Sequence, residues 1–526
     1  MNPKRIGLLG YTWKRFMSLA LLSMSLVLTS ELPGAARVAK QPERKADAPH
    51  YWPTKAWRTS TPEQQGMDSE KLAEALQQVR QHHVDIHSLL IIRNGFIVLD
   101  ADFYPFQAGQ LHDLASVTKS VTSTLIGIAI GQRKISGVSQ PILALFPDRQ
   151  IANRDERKAG VTIKDLLTMT SGLDCRFRPN EITLSEMTHS QDWIQFMLNL
   201  PMIAEPGSKY EYCSGGMHLV SGIISQSTGV NAFEFARREL FQPLGIHDVA
   251  WPADPNGVTY GWGDLHLRSR DAAKIGYLWL NHGRWEDRQI VPAEYLQEAA
   301  QVHSRASWGD EYGYGMWVYP TRDVFEGNGR GGQRLSVVPS KNLVVVMTGG
   351  GFEPGDIGKL IGAALKSDQP LAENRAGVAR LEREVVMASQ PPPPRSIAPL
   401  PEIAKTVSGQ TYFLDENPVG LKTLSVTFAS PSDASVRLMF TDGRTETRPI
   451  GMDGVSRLSA NGRFGLAVAV KGSWEDGQVF LLDYDEAANI DHYLLRIRFN
   501  ANRIDVGLSE KTKGLEAAFS GKTGPR

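Results

Sequence analysis

The stretch HDLASVTKSVTS, residues 112 to 123, sets a single lysine inside what otherwise reads as a buried helix. Asp113 is a candidate cap, and the small and apolar run Leu125-Ile126-Gly127-Ile128-Ala129-Ile130 follows. Lys119 stands three residues after Ser116. Positions i and i+3 share a helix face, so the hydroxyl and the ammonium come within reach of each other. No other serine in the chain has a lysine at that spacing. On the order of one such match arises by chance in a chain this long, so the pair acquires meaning only from its context.

Two further segments supply that context. Pro206-Gly207-Ser208-Lys209-Tyr210-Glu211-Tyr212-Cys213-Ser214-Gly215-Gly216 runs into the helical pattern of residues 217–225, a loop-to-helix junction from which Tyr212 can face a cleft. Gly327-Asn328-Gly329-Arg330-Gly331-Gly332-Gln333 leads directly into a strand. Glycines there let a backbone or a ligand approach the strand edge, and Arg330 adds a fixed positive charge.

With these three segments the sequence resembles the serine β-lactamases and penicillin-binding proteins, specifically the class C-like serine hydrolases that include esterases and aminopeptidases. That family carries S-x-x-K, Y-x-N, and K-T-G or H-T-G with relatives such as G-x-G-G-Q. Ser116 and Lys119 match the first element, Tyr212 the second and Arg330-Gly331-Gly332 the third. The similarity extends through TMTSGL (168–173), PLGI (243–246) and YGYGMW (312–317). It implies an α/β fold, an antiparallel sheet flanked by helices with a helical subdomain. It also implies Ser116, Lys119 and Tyr212 as catalytic residues and an oxyanion site at the backbone N–H groups of Ser116 and Gln333. Ser214, Arg330 and Gly332 then border the substrate. Two positions depart from the family pattern. Ser214 stands where Asn is usual, removing an amide that helps hold a substrate amide, and Arg330 replaces Lys or His. A literal Lys522-Thr523-Gly524 is read as accidental, in a polar tail without strand pattern.

The chemistry expected of these residues is acyl transfer. A serine hydroxyl is a weak nucleophile until a base takes its proton, and none of the family's motif positions carries a histidine here. An amine and a phenol ordinarily keep their protons at neutral pH. Placed together beside a second cation, one of the pair can act as base: neighbouring cations favour phenolate, and burial favours the neutral amine. Three functions are compatible with this reading: a hydrolase of small esters or amides, a β-lactamase or D-Ala carboxypeptidase, and a non-catalytic penicillin-binding sensor that acylates without turnover. No cofactor or metal is called for. HHVDIH (82–87) lacks the H-E-x-x-H spacing of a zinc helix and is read as a solvated junction.

The remainder of the 526 residues frames that centre. Lys+Arg and Asp+Glu balance at 57 each, which gives no global field for nucleic acid; the expected partner is a small ester, amide or peptide. Residues 1–36 have a secretory layout, with Lys4, Arg5, Lys14 and Arg15 before an apolar run from Phe16 to Thr29 and then Pro33-Gly34-Ala35-Ala36. Export to the periplasm or medium is expected, with an uncleaved N-terminal anchor as the alternative. In an oxidising compartment the two cysteines, Cys175 and Cys213, can form a disulfide or remain core thiols. Helical spacing marks 69–80, and apolar runs around Arg93-Asn94 mark a hairpin. Strands are expected again at 334–338 and 342–348. The expected catalytic domain is 37–370. A helical and Pro-rich linker with Pro391-Pro392-Pro393-Pro394 covers 371–400, and a small all-β accessory domain 401–526.

Overall fold

The computed structural model describes residues 51–178, 181–512 and 514–524; the segment read as a secretory signal lies outside them. Among the described residues nine strands form one sheet, in the order Arg58–Thr59, Phe96–Asp102, Ile86–Arg93, Leu343–Gly349, Gln333–Val338, Val324–Gly329, Trp317–Tyr319, Glu311–Tyr312 and Ser304–Arg305. All neighbours are antiparallel except the first pair. The expected hairpin forms at Asn94-Gly95, where φ is +51° and +78°, the left-handed geometry of a two-residue turn. Strands from both ends of the catalytic segment meet at the centre, where Leu343 pairs with Arg93 and Val346 with Leu90.

The sheet is the middle layer of three. Ile86–Arg93 is buried at every position, and its residues divide by strand period between two cores. Leu90, Ile92, Leu335, Val337, Val344 and Val346 face the helices of residues 117–299. Leu89, Ile91, Leu343, Val345 and Met347 face the helices Ser69–Gln81, Pro354–Ala364 and Arg375–Ser389. The helix expected within the linker thus belongs to this outer layer: Leu381 and Ala388 enter its core, and Arg380 and Glu384 pair with Glu70 and Arg80. The run without regular structure is 390–400.

The helix Val117–Gly131 is buried from Val117 to Ala129, lying between the sheet and the helix Ser214–Thr228. The strand Val324–Gly329 crosses close to its N-terminus, and two glycines permit the approach. A Cβ at Gly327 would lie 2.8 Å from Val117 Cγ1, and one at Gly329 2.6 Å from the Leu114 carbonyl oxygen.

Beyond residue 400, ten strands form an antiparallel sheet from Thr411–Leu414 to Leu515–Thr523. It curls until its edges meet, where Gly451 donates to the Val470 carbonyl at 3.1 Å and accepts from Gly472 N–H at 3.0 Å. The Lys522-Thr523 pair expected in a polar tail lies in the last strand, paired with residues on both sides. Small Ala517, Ala518 and Gly521 alternate there with polar residues, which masks the strand signal in the sequence.

Gly329 tests how the sheet positions Ser116. Its φ of −135° suits any residue, so Gly329→Ala acts through the clash with the Leu114 carbonyl and the tight approach to Ala115 and Gln333. It is expected to cost about 1–3 kcal/mol in a urea titration and to depress turnover as the strand shifts away from the Ser116 turn.

Candidate active site

Ser116 closes a tight turn at the head of its helix. Ala115 before it has φ of +45°, a left-handed value that only external bonds hold in a residue with a side chain. Two such bonds are present. Asp113 Oδ1 accepts from Ala115 N–H at 2.7 Å, and Leu114 N–H donates to the Leu265 carbonyl at 2.9 Å. The helix is stapled to the same 261–265 loop by Thr122, which donates to the Gly261 carbonyl, and by Thr118, which accepts from Leu265 N–H.

Lys119 is 1% exposed. Its Nζ lies 2.8 Å from Ser116 Oγ and 2.9 Å from the Trp262 carbonyl oxygen, and 4.8 Å from the centroid of the Tyr212 ring. The serine, the lysine and the tyrosine ring, from two distant parts of the chain, therefore meet. Tyr212 is held by Phe177 edge-on at 5.0 Å and by Trp317 in a stack at 6.3 Å. Cys175 and Cys213 are joined in a disulfide, which ties the tyrosine loop to the segment that supplies Phe177. Glu211 N–H donates to the Met169 carbonyl from the same loop at 2.7 Å. Beside Tyr212 lies a recess of about 320 Å³ lined by Phe177, Arg178, Tyr210 and Trp308.

Gln333 is fully buried, and its side-chain amide bonds the backbone rather than facing the serine. Nε2 donates to the carbonyls of Arg330 and Gly349 at 2.8 and 2.7 Å, and Oε1 accepts from Gly349 N–H at 2.9 Å. These bonds fix the turn Arg330–Gly332, where Gly331 and Gly332 have φ of +80° and +98°. A Cβ at Gly332 would strike the Phe352 ring at 2.5 Å. Gln333 pairs with Gly329, so its backbone lies on the strand end that touches Leu114 and Ala115. Ser214 begins the helix Ser214–Thr228, and its enclosed hydroxyl has no hydrogen-bond partner among the described residues.

Arg330 faces elsewhere than the family pattern suggests. Its guanidinium is engaged by the barrel: Nη2 donates to Asp491 Oδ1 at 2.9 Å, Nη1 donates to Thr512 Oγ1, and Glu510 stands 3.9 Å away. Both terminal nitrogens of Arg330 thus donate to barrel residues. The reading of HHVDIH as a solvated junction also needs correction. His82 and His83 are exposed, but His87 is buried and its Nδ1 meets His112 Nε2 at 2.9 Å. Asp85 is reached by Lys511 at 2.5 Å and by His492 at 3.6 Å, both from the barrel. His112 lies 25 residues from His87, and the barrel partners of Asp85 lie some 400 residues away, so local composition cannot report them.

Residues without a sequence signal complete the site. The Trp262 carbonyl is one; Asp113, read as a candidate cap, instead holds Ala115 N–H, and the Gly315 carbonyl of the YGYGMW segment accepts from Ser120 Oγ. Trp317 belongs to the YGYGMW segment and was visible only as a resemblance. Burial, with Asp264 nearby, pushes the Asp113 carboxyl up to about 6 from 3.8. A carboxyl raised on folding contributes stability below its unfolded value and loses it as pH climbs through the folded value. Asp113→Asn should therefore match the parent near pH 4 and exceed it by about 1–3 kcal/mol at pH 8, measured as urea midpoints at the two pH values.

Comparison with known proteins agrees with this architecture. The family model described as Beta-lactamase matches residues 63–365, and the chain belongs to that family. It is 22% identical over 284 residues to the 6-aminohexanoate-dimer hydrolase of Paenarthrobacter ureafaciens, covering 49% of this chain and 71% of that one. It is 24% identical over 212 residues to the lovastatin esterase of Penicillium rubens, covering 33% of this chain and 53% of that protein. Among solved structures it matches the octameric penicillin-binding protein homologue from Pyrococcus abyssi with TM-score 0.47 and 19% identity, covering 87% of this chain and 100% of that one. Two of these relatives are thus named as hydrolytic enzymes, a dimer hydrolase and an esterase.

Removal of the Arg330 charge tests which partner it serves. Arg330→Gln is expected to lower stability by about 1.5–3 kcal/mol, read as a lowered urea midpoint. The ratio of turnover on carboxylate-bearing and neutral esters should change less than about threefold.

Proposed function

We propose that the protein is an exported serine hydrolase that cleaves small esters or amides through an acyl-enzyme on Ser116. The observation that carries this reading is the 2.8 Å contact between Lys119 Nζ and Ser116 Oγ, made by a lysine enclosed from water against the Tyr212 ring. Relatives named as a hydrolase of 6-aminohexanoate dimers and an esterase of lovastatin support an ester or amide substrate. The apolar N-terminal run supports export.

In the proposed reaction Ser116 Oγ attacks the substrate carbonyl while its proton passes to the Lys119–Tyr212 pair. The carbonyl oxygen takes the negative charge, facing the backbone N–H groups of Ser116 and Gln333. The C–O or C–N bond then breaks, the departing alcohol or amine receives the proton, and the acyl group stays on Ser116. Water, deprotonated by the same pair, attacks the acyl-enzyme and releases the acid with Ser116 restored. A positioned base supplies roughly 10²- to 10⁴-fold and each oxyanion donor roughly 10²- to 10³-fold. The recess beside Tyr212, with its aromatic walls, would take an apolar part of the substrate.

The engagement of Arg330 by Asp491 and Thr512 favours an uncharged ester over a β-lactam or a peptide carboxylate. p-Nitrophenyl acetate turnover by the full chain is expected, with an acetyl adduct on Ser116 seen by mass spectrometry after rapid quench. Ser116→Ala and Lys119→Met should each lower the rate by at least about a thousandfold. Full activity in Ser116→Ala would remove that residue from the mechanism, and faster turnover of a chromogenic cephalosporin than of the ester would replace the substrate class.

A further inference from the structure

The ten-stranded barrel is filled unevenly along its axis. One half is closed by an aromatic cluster: Trp474 lies 5.1 Å from Phe428, 5.2 Å from Phe480 and 5.9 Å from Phe499, and Tyr412 lies 5.9 Å from Phe499. The inward positions of the same strands change character two to four residues further on. Phe480 gives way to Leu482, Phe499 to Leu495 and Ile504 to Leu508, while Leu421 and Leu438 stand on the neighbouring strands. These five leucines are 0–5% exposed and, together with Tyr484 and Tyr493, line a cavity of about 280 Å³ that opens at the rim.

A void of that size in a close-packed protein forfeits contacts that bulkier side chains could have made. The other half of the barrel shows that aromatic residues fit these strands. Apolar cavities of about 150 Å³ already take up benzene-sized molecules, and this one has room for on the order of nine water-sized groups. Its rim is accessible, with Pro418 and Arg444 exposed and Val419, Phe440 and Leu515 half-buried.

The charges at the rim are already matched. Glu446 accepts from the Tyr484 hydroxyl at 2.6 Å and from Arg448 Nη2 at 3.0 Å, and Arg444 Nη1 donates to its other oxygen. Arg444 in turn lies over the Phe440 ring at 3.8 Å. Glu486 stands 3.8 Å from Arg463. A charged ligand would have to break these pairs or remain unpaired in an apolar chamber, at high cost.

From the leucine-lined chamber and its internally paired rim we infer that the barrel is a second binding site, for an uncharged, mainly apolar small molecule of one to two fused rings or an equivalent short alkyl chain. The site is independent of Ser116 and of the hydrolase reading. The hydrophobic term favours entry because the chamber walls gain the contacts they lack.

The test is titration of the full chain with N-phenyl-1-naphthylamine, a neutral probe that fluoresces in apolar surroundings. Saturable binding at one site per chain is expected. Affinity should fall at least tenfold in Leu508→Phe, which fills the chamber, or in Val419→Trp, which blocks the rim from the half-buried loop position before Leu421. It should be unchanged in Ser116→Ala. The anionic probe 1-anilinonaphthalene-8-sulfonate should bind at least tenfold more weakly than the neutral one. Absence of saturable binding, unchanged affinity in both chamber variants, loss in Ser116→Ala, or equal or tighter binding of the anionic probe would each overturn the inference.

Discussion

The structure around the site depends on one buried lysine. A polar side-chain nitrogen removed from water is costly unless other polar groups replace its hydration. Lys119 has the Ser116 hydroxyl, the Trp262 carbonyl and the face of Tyr212. Each of these is placed by a different device. The serine is turned into reach by the left-handed Ala115 that Asp113 holds, and the carbonyl comes from the loop stapled to the helix by Thr118 and Thr122. The tyrosine is kept by the Cys175–Cys213 disulfide and by Phe177 and Trp317. The glycines at 327 and 329 let the sheet come close enough to close the remaining side.

The barrel takes part in the architecture of the third motif. Ile490, Asp491 and Thr512 meet the Gly331 turn and the Arg330 guanidinium, while Asn489 bonds His266 at 2.9 Å. His266 pairs across a short ladder with Asp113, the residue that holds Ala115. A continuous chain of contacts therefore runs from the barrel loops to the Ser116 turn. The basic residue that the family pattern puts toward substrate is engaged here in joining two parts of one chain.

Much of this was legible in the residues themselves. The Asn94-Gly95 hairpin, the buried strands at 86–93 and 343–349 and the helix beginning at Ser69 follow from local rules, because their signals lie within a few residues. The proximity of Ser116 to Lys119 follows from helix geometry alone. Other features had no such signal. The strand Leu515–Thr523 was hidden by small and polar residues that only a closed barrel accommodates, and the helix Arg375–Ser389 read as a linker because its packing partner is Ser69–Gln81, some 300 positions away in sequence.

The sequence by itself determined the closeness of Ser116 and Lys119, the tyrosine loop and the glycine-rich strand approach, since each is a short pattern written in neighbouring residues. Only the tertiary structure decided that Cys175 joins Cys213, that Arg330 turns to Asp491, and that His87 is sealed against His112. These depend on distance and burial between segments far apart in the chain. Residue type gives a side chain its possible partners, but the partner it takes is set by which surfaces packing brings together and by the cost of leaving a buried polar group without one.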